Sequence, residues 1–435
     1  MSEIKSVLRC MRCHAEKDLY GAKNFRCSCG GLYDVCHKGI PWRQALLGKF
    51  DCRATPNHLS PLNNSGVWRF HEFIMPSLPC EDIVSLGEGV LPFWQAGNNL
   101  RKWIGGNLDL WIVPEGLTPT GSFKDFGGTV AISVAKKSGV KAIIVASTGD
   151  TSAMAAAYAA KAGMKCAVVL PKGKVTDVQL AQPIAHGAKV ILIPGNFDEC
   201  MRVVKELIEA ERAFPINSIN PTRIEGHQAT VFLAYQFFGW EVPDAFVVPI
   251  GNGSNSSSIG KGMRLLRDLK VVDKLAKLIG VQSEAANPLA SSWEEVQDEG
   301  FALPIAWSKA YKPRVDLGET TATAALIGNP VSYEKVMREI CASNGAVLTA
   351  RETELNEAVL VAGSDGHFVC PQTGTALAGL RQAVERGFVK VGQRVVVVST
   401  ATGLKFSHVP VQFGKNLVIE TKTCETKEVA DIIGI

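Results

Sequence analysis

From Asp109 onward the chain alternates short apolar runs with segments of helix length, and no other feature restricts its fold so strongly. KAIIVAS at 141–147, KCAVVLP at 165–171 and AKVILIP at 188–194 have the length and β-branched content of fully buried strands. Between them lie SAMAAAYAAKAG at 152–163 and a helical stretch before Gly187. A second series follows: INSIN at 216–220 leads into a helix over 224–238, AFVVPI at 245–250 into a helix over 256–268, and KLIGVQSE at 277–284 continues the pattern. RVVVVST at 394–400 reads as a late buried strand. This order predicts an α/β protein with two doubly wound parallel-sheet domains, helices covering both faces of each sheet. In open sheets of this kind ligands bind where strand carboxyl ends turn into helices, so chemistry is expected there.

Residues 1–65 are rich in Cys, Pro, Asn and Gly and show no helical period, which predicts a small irregular module. The linear reading then divides the rest into 66–215 and 216–435. The 46 basic and 42 acidic side chains are interspersed, giving a net charge of +4 and no case for a nucleic-acid or membrane partner. The N-terminus lacks the apolar core of a secretory signal, and no apolar run approaches the ~18 residues of a membrane span, so a cytoplasmic protein is expected. Eight scattered cysteines (Cys36, Cys52, Cys80, Cys166, Cys200, Cys341, Cys370 and Cys424) are therefore expected to be reduced, most of them buried and inert.

Five segments carry candidate chemistry. EGLTPTGSFKDFGG at 115–128 places Lys124 just before a helix, between Phe123 and Asp125. Partial burial and the positive end of a helix lower an amine's pKa, as Schiff-base chemistry requires. STGDTSA at 147–153 stacks Ser147, Thr148, Asp150 and Thr151 at a strand end. Such residues are ordinary N-caps, yet their number exceeds what one cap needs and suits an anion or carboxylate. GNGSNSSSIGKG at 251–262 is not a nucleotide P-loop, because six residues separate Gly253 from Gly260 where four are required. It also lacks the third glycine of a dinucleotide fingerprint, Ser256 standing there. What remains is a loop of small residues whose backbone N–H groups can close around one phosphate. NSINPTRIEGHQAT at 217–230 offers Ser218 and Arg223, the latter either a surface partner of Glu225 or Glu211 or a clamp on a phosphate or carboxylate. In VVVVSTATGLK at 395–405, Ser399 and Thr400 emerge at a strand's end, where a hydroxyl can meet a ring nitrogen. Two phosphate-suited loops fit a cofactor and a substrate that each carry a phosphate.

Together these segments resemble the threonine synthases of plant-like form, a family of pyridoxal-phosphate enzymes of fold type II, the tryptophan-synthase β-subunit type. The resemblance runs from SGVWRF at 65–70 through SLGEG at 85–89, GLTPTGSFKD, ASTGDTSA, SINPTRIEG, GNPVSYE at 328–334, CPQTGTALAG at 370–379 and VVVSTATGLKF. It implies Lys124 as the Schiff-base lysine and Asp150 at the cofactor's phenolic oxygen. It further implies the loop Gly251, Asn252, Gly253, Ser254 and Asn255 as the cofactor-phosphate cradle, and Thr400 as the hydroxyl partner of the pyridine nitrogen. Ser147, Thr148, Thr151, Ser218 and Arg223 are implied as the grip on the substrate. Two positions depart from the family: Phe126 follows Lys-Asp where Arg or Leu is common, and Thr402 stands where His is common. The implied reaction converts O-phospho-L-homoserine and water to L-threonine and phosphate. Rival implications are a cysteate synthase that replaces the phosphate of phosphoserine with sulfite, and a threonine or serine dehydratase, which needs no second phosphate site. A catalytically silent scaffold would leave Lys124 and the loops unexplained. A homodimer is expected, and control by an effector such as S-adenosylmethionine is left open.

Near the N-terminus, Cys10 and Cys13 form a C-x-x-C pair and Cys27 and Cys29 a C-x-C pair. Four thiolates so spaced suit a structural zinc ribbon, and a metal-free ribbon is the alternative. No catalytic role is expected for them.

Overall fold

A computed structural model describes residues 4–22, 24–40, 42, 44–54, 60, 62–147, 149–173, 177–195, 197–210, 213–421 and 426–434. Among them are the two parallel sheets. The larger has six strands, in the order Ala346–Ala350, Lys277–Ser283, Ala245–Pro249, Arg394–Ser399, Asp109–Pro114 and Trp94–Gln95. All neighbours pair in parallel except the last two. Its centre is Arg394–Ser399, where Val395 to Val398 are fully buried because helices cover both faces. The smaller sheet orders Lys189–Ile193, Lys165–Pro171, Ala142–Val145 and Phe214–Pro215, all parallel.

Three expectations change. INSIN is not a strand. The strand before it is only Phe214–Pro215, and the chain then turns because Asn217 and Asn220 donate their amides to the carbonyls of Ala146 (3.1 Å) and Pro215 (3.0 Å). The helix expected over 224–238 begins at Thr222 and is divided into Thr222–His227 and Ala229–Phe237. Strand Asp109–Pro114, grouped in linear order with 66–215, pairs with Arg394–Ser399 and so belongs to the larger sheet.

The N-terminal module is more regular than expected, with an antiparallel sheet ordered Glu16–Asp18, Lys5–Cys10, Tyr33–Lys38 and a helix Ala45–Arg53. That helix buries Leu47, Phe50 and Arg53, one short stripe that offers little periodic signal. Buried charges fasten the module to the larger body: Asp34 meets Lys335 and Arg338, each at 2.7 Å, and His37 meets Glu225 at 3.1 Å. No described helix is long and apolar enough to cross a membrane.

One helix crossing positions the site. A Cβ at Gly226 would lie 1.8 Å from the Phe126 carbonyl oxygen, and one at Gly127 2.5 Å from the His227 ring. Only glycine lets the helices Lys124–Lys137 and Thr222–His227 approach backbone to backbone. The Phe126 ring is fully buried and belongs to the core.

Candidate active site

Lys124 opens its helix directly after a turn that the buried Asp125 organises. The Asp125 carboxylate accepts from the Thr120 N–H at 2.7 Å and from its hydroxyl at 2.6 Å, while the Thr118 hydroxyl donates to the Ser122 carbonyl at 2.7 Å. Gly121 adopts φ +82°, open to glycine at little strain. Two backbone bonds join this turn to the end of the central strand: Phe123 N–H to Thr400 O at 2.9 Å, and Thr402 N–H to Gly121 O at 3.1 Å. The unusual Thr402 also caps the following turn by accepting from the Leu404 N–H at 3.3 Å. The Lys124 Nζ sits 3.6 Å from the centre of the Phe123 ring. Burial first, and then the positive charge of Arg223, push the amine's pKa down to about 7, against the opposing pull of Asp150 and Glu115.

A cavity of about 2270 Å³ opens above Lys124, between the two sheets. Ser147, Asp150, Thr151, Ser218, the whole loop Gly251–Asn255 and Thr400 line it together with Lys124. The strand-end rule therefore brought together residues from four separate strand ends. Thr148 lies outside the described residues, as does Glu211.

The loop 251–255 has the build of an anion cradle. Gly253, at φ +82°, caps the helix Ser254–Asp268, whose first N–H groups have no intrahelical partner. A Cβ at Gly253 would stand 2.6 Å from Val336, so no side chain can occupy the bend. Asn252 braces it from outside, its carbonyl accepting from Ser332 N–H at 3.0 Å and its side-chain oxygen from Val331 N–H at 3.3 Å. Here the GNPVSYE segment has its structural part. Thr400 is buried, with its hydroxyl 3.5 Å from the Cys370 sulfur and its N–H on the Thr373 hydroxyl at 3.2 Å. Cys370 is thus not inert packing.

Arg223 is not a surface residue. It is fully buried, one Nη donates to the Ile216 carbonyl at 3.2 Å, and Nε and the other Nη have no partner. Glu225, its expected surface partner, is engaged instead by His37 and Lys261. A buried guanidinium with unused donors fits an anionic ligand, since an uncompensated buried charge is costly. Asn255 likewise keeps both amide atoms buried, near enough to the Glu115 carboxyl to act on it but without a well-formed hydrogen bond.

Two residues of the site escaped the sequence reading. Glu115 sits in the turn after Asp109–Pro114, fully buried, its carboxyl accepting the Thr230 hydroxyl. Burial raises its pKa to about 8, against the pull of that bond and of Lys124. Lys405 lines the cavity and donates to Asp150 at 2.8 Å. Both stand within quoted motifs at strand ends, where the same rule would have found them.

The four N-terminal sulfurs of Cys10, Cys13, Cys27 and Cys29 lie within 4.8 Å of one another. Tetrahedral bonds of about 2.3 Å place sulfurs roughly 3.8 Å apart, and the pairs Cys10–Cys29 and Cys13–Cys27 stand at 3.5 and 3.6 Å. The cluster can therefore hold a metal ion. It is close to the cleft: Asn24, Phe25 and Arg26, which lead into Cys27, line the cavity, and Phe25 packs edge-on against Phe214 at 5.7 Å. The other described cysteines are all free, but of the scattered set only Cys166, Cys200 and Cys370 are buried, Cys52 and Cys80 are exposed, and Cys424 lies outside the described residues.

The profile of a family described as pyridoxal-phosphate dependent enzyme matches residues 84–401. Threonine synthase of Methanocaldococcus jannaschii is 37% identical over 91% of this chain and 92% of its own length. Threonine synthase 2, chloroplastic, of Arabidopsis thaliana is 36% identical over 90% of this chain and 75% of its own. In three dimensions, the crystal structure of threonine synthase from Escherichia coli superimposes with a TM-score of 0.69 over 97% of this chain and 93% of its own, at 18% identity.

Proposed function

This chain belongs to the pyridoxal-phosphate dependent enzymes and, among them, to the threonine synthases, and on that premise we propose that its cleft converts O-phospho-L-homoserine and water to L-threonine and phosphate. The observation that carries this reading is the fully buried Arg223, which has unused donors and is not in the cavity lining but stands near enough for its charge to act on Lys124, behind a cleft whose lining holds a separate phosphate cradle at 251–255. Two anion sites match a phosphorylated cofactor and a phosphorylated substrate.

Pyridoxal phosphate, when bound, supplies an electron sink that acidifies the substrate's Cα–H. In this reading Lys124 anchors it covalently, and Gly251, Asn252, Gly253, Ser254 and Asn255 hold its phosphate at the helix start. Asp150 would be the partner of its phenolic oxygen. Thr400, held by Thr373 and Cys370, would offer the ring nitrogen a neutral hydroxyl rather than an acid. Arg223, Ser218 and Thr151 would grip the substrate's phosphate, and Ser147, which lines the same cavity, would contact the substrate beside them.

The reaction removes protons from Cα and Cβ, delivers one to Cγ as phosphate leaves, adds hydroxyl at Cβ and returns a proton to Cα. A single amine with a pKa near neutrality is suited to both directions of that traffic, and Lys124 has it. The four-cysteine cluster is read as a structural zinc site, supported by its sulfur spacing. The chain is further read as a cytoplasmic homodimer, with the free state of its eleven described cysteines consistent with a reducing compartment.

Assaying phosphate release and threonine formation from phosphohomoserine, beside phosphoserine with sulfite and beside threonine alone, tests the assignment. Threonine from phosphohomoserine as the dominant product is expected. Preferred turnover of phosphoserine with sulfite would keep the site but overturn the substrate.

A further inference from the structure

Resting on the reading of Lys124 as the cofactor lysine, we infer that Lys405 is a positioning residue for the same reaction, forming with Asp150 one compensated ion pair that sets the charge at the Lys124 nitrogen. The pair is short, 2.8 Å from Lys405 Nζ to Asp150 Oδ1, and its side chains keep only 17% and 11% of their exposure. Both residues line the cavity that Lys124 lines.

Lys405 is held there by the fold. Its turn, Gly403–Phe406, follows the central strand, and the preceding residues are bonded to the Lys124 loop through Phe123 N–H to Thr400 O and Thr402 N–H to Gly121 O. A Cβ at Gly121 would come within 3.2 Å of Lys405 Cε, so glycine at that position makes room for the lysine chain. Asp150 begins the helix Asp150–Ala162 from the smaller sheet. The ion pair therefore spans the cleft between the two sheets and closes it electrostatically beside the reacting amine.

The charged groups acting on Lys124 come from four elements: Arg223 of Thr222–His227, Asp150 at the start of its helix, Glu115 of the turn Glu115–Leu117, and Lys405. His227, packed on Phe123 at 5.0 Å, is held neutral by burial. Lys405 opposes a proton on Lys124 and Asp150 favours it, Asp150 the more strongly, so each offsets part of the other only while both are present. Removing either one leaves the other uncompensated, and the two removals act with opposite sign.

A pH titration of the visible absorbance of the lysine-bound cofactor in the holoenzyme tests this. Lys405→Met should move the titration midpoint up and Asp150→Asn should move it down, each by on the order of one pH unit, as expected of one charge in a partly buried site. The double variant should lie between the two single variants, and Lys405→Arg should stay near wild type. Lys405→Gln, which keeps a donor for Asp150 but no charge, should follow Lys405→Met and serves if the methionine variant does not fold. Shifts of the same sign in both single variants, or no shift in either, would overturn the inference. Absence of a lysine-bound absorbance in the wild type would instead overturn the reading on which it rests.

Discussion

Replacing Arg223 by methionine tests the substrate site through two properties that should change in opposite directions. Arg223 is fully buried, makes one bond to a carbonyl and leaves two of its nitrogens without partners, and no carboxylate among the described residues pairs with it. Without substrate the charge is a liability, and an apolar chain of similar length should raise unfolding stability by about 1–3 kcal/mol. With substrate the lost charge-assisted bonds to phosphate should cost about 1.5–3 kcal/mol, or roughly ten- to 150-fold in kcat/KM. Cofactor content should stay near wild type, because the cofactor's phosphate is proposed to lie at 251–255. Thermal unfolding without substrate, kcat/KM with phosphohomoserine and visible absorbance can all be read from one preparation. Unchanged kcat/KM would refute the two-phosphate argument. Loss of the cofactor would show that the two anion sites had been assigned in reverse.

Glu115→Gln should keep the Thr230 bond and remove a buried acid. Burial raises that carboxyl to about 8 from an unfolded value of 4.5, so between these limits the folded chain holds a proton that the unfolded chain has lost. The acid's contribution therefore falls as pH rises through this window. The variant should gain on wild type by on the order of 2–4 kcal/mol between pH 5 and pH 9 in denaturant titrations, and a pH-independent difference would contradict the buried-acid account. For the cysteine cluster, zinc is expected near one equivalent per chain, and Cys10→Ser with Cys13→Ser should lower the unfolding temperature. Because Asn24, Phe25 and Arg26 line the cleft, the same variant should also raise KM several-fold; zinc at background would reject the metal, and unchanged KM would reject the coupling.

Most strands were legible because a strand buried on both faces shows as an unbroken apolar run, as at Lys165–Pro171 and Arg394–Ser399. Reading INSIN as a strand failed for a physical reason: Asn220 bonds the nearby Pro215 carbonyl and Asn217 the distant Ala146 carbonyl, so the chain turns instead of continuing the sheet. Sheet membership was hidden because the pairing of Asp109–Pro114 with Arg394–Ser399 joins segments far apart in sequence. Within the site, loop motifs marked the strand ends, and the glycines at 226 and 127 were visible as letters but not as a helix crossing. Lys405 and Glu115 stood in those motifs, yet what distinguishes them is burial and one partner each, which only the folded chain supplies. The nearness of the cysteine module to the cleft was likewise invisible, since it depends on packing such as Phe25 against Phe214.

The central claim is that Lys124 carries the cofactor in a cleft built for a second phosphate. Borohydride reduction of the holoenzyme followed by peptide mapping tests it most directly, because reduction fixes the cofactor to whichever lysine holds it. The label is expected on Lys124, in the peptide containing GSFKD, at close to one equivalent per chain. Label on Lys205 or Lys405, which also line the cavity, or on any lysine outside the cleft would contradict the account.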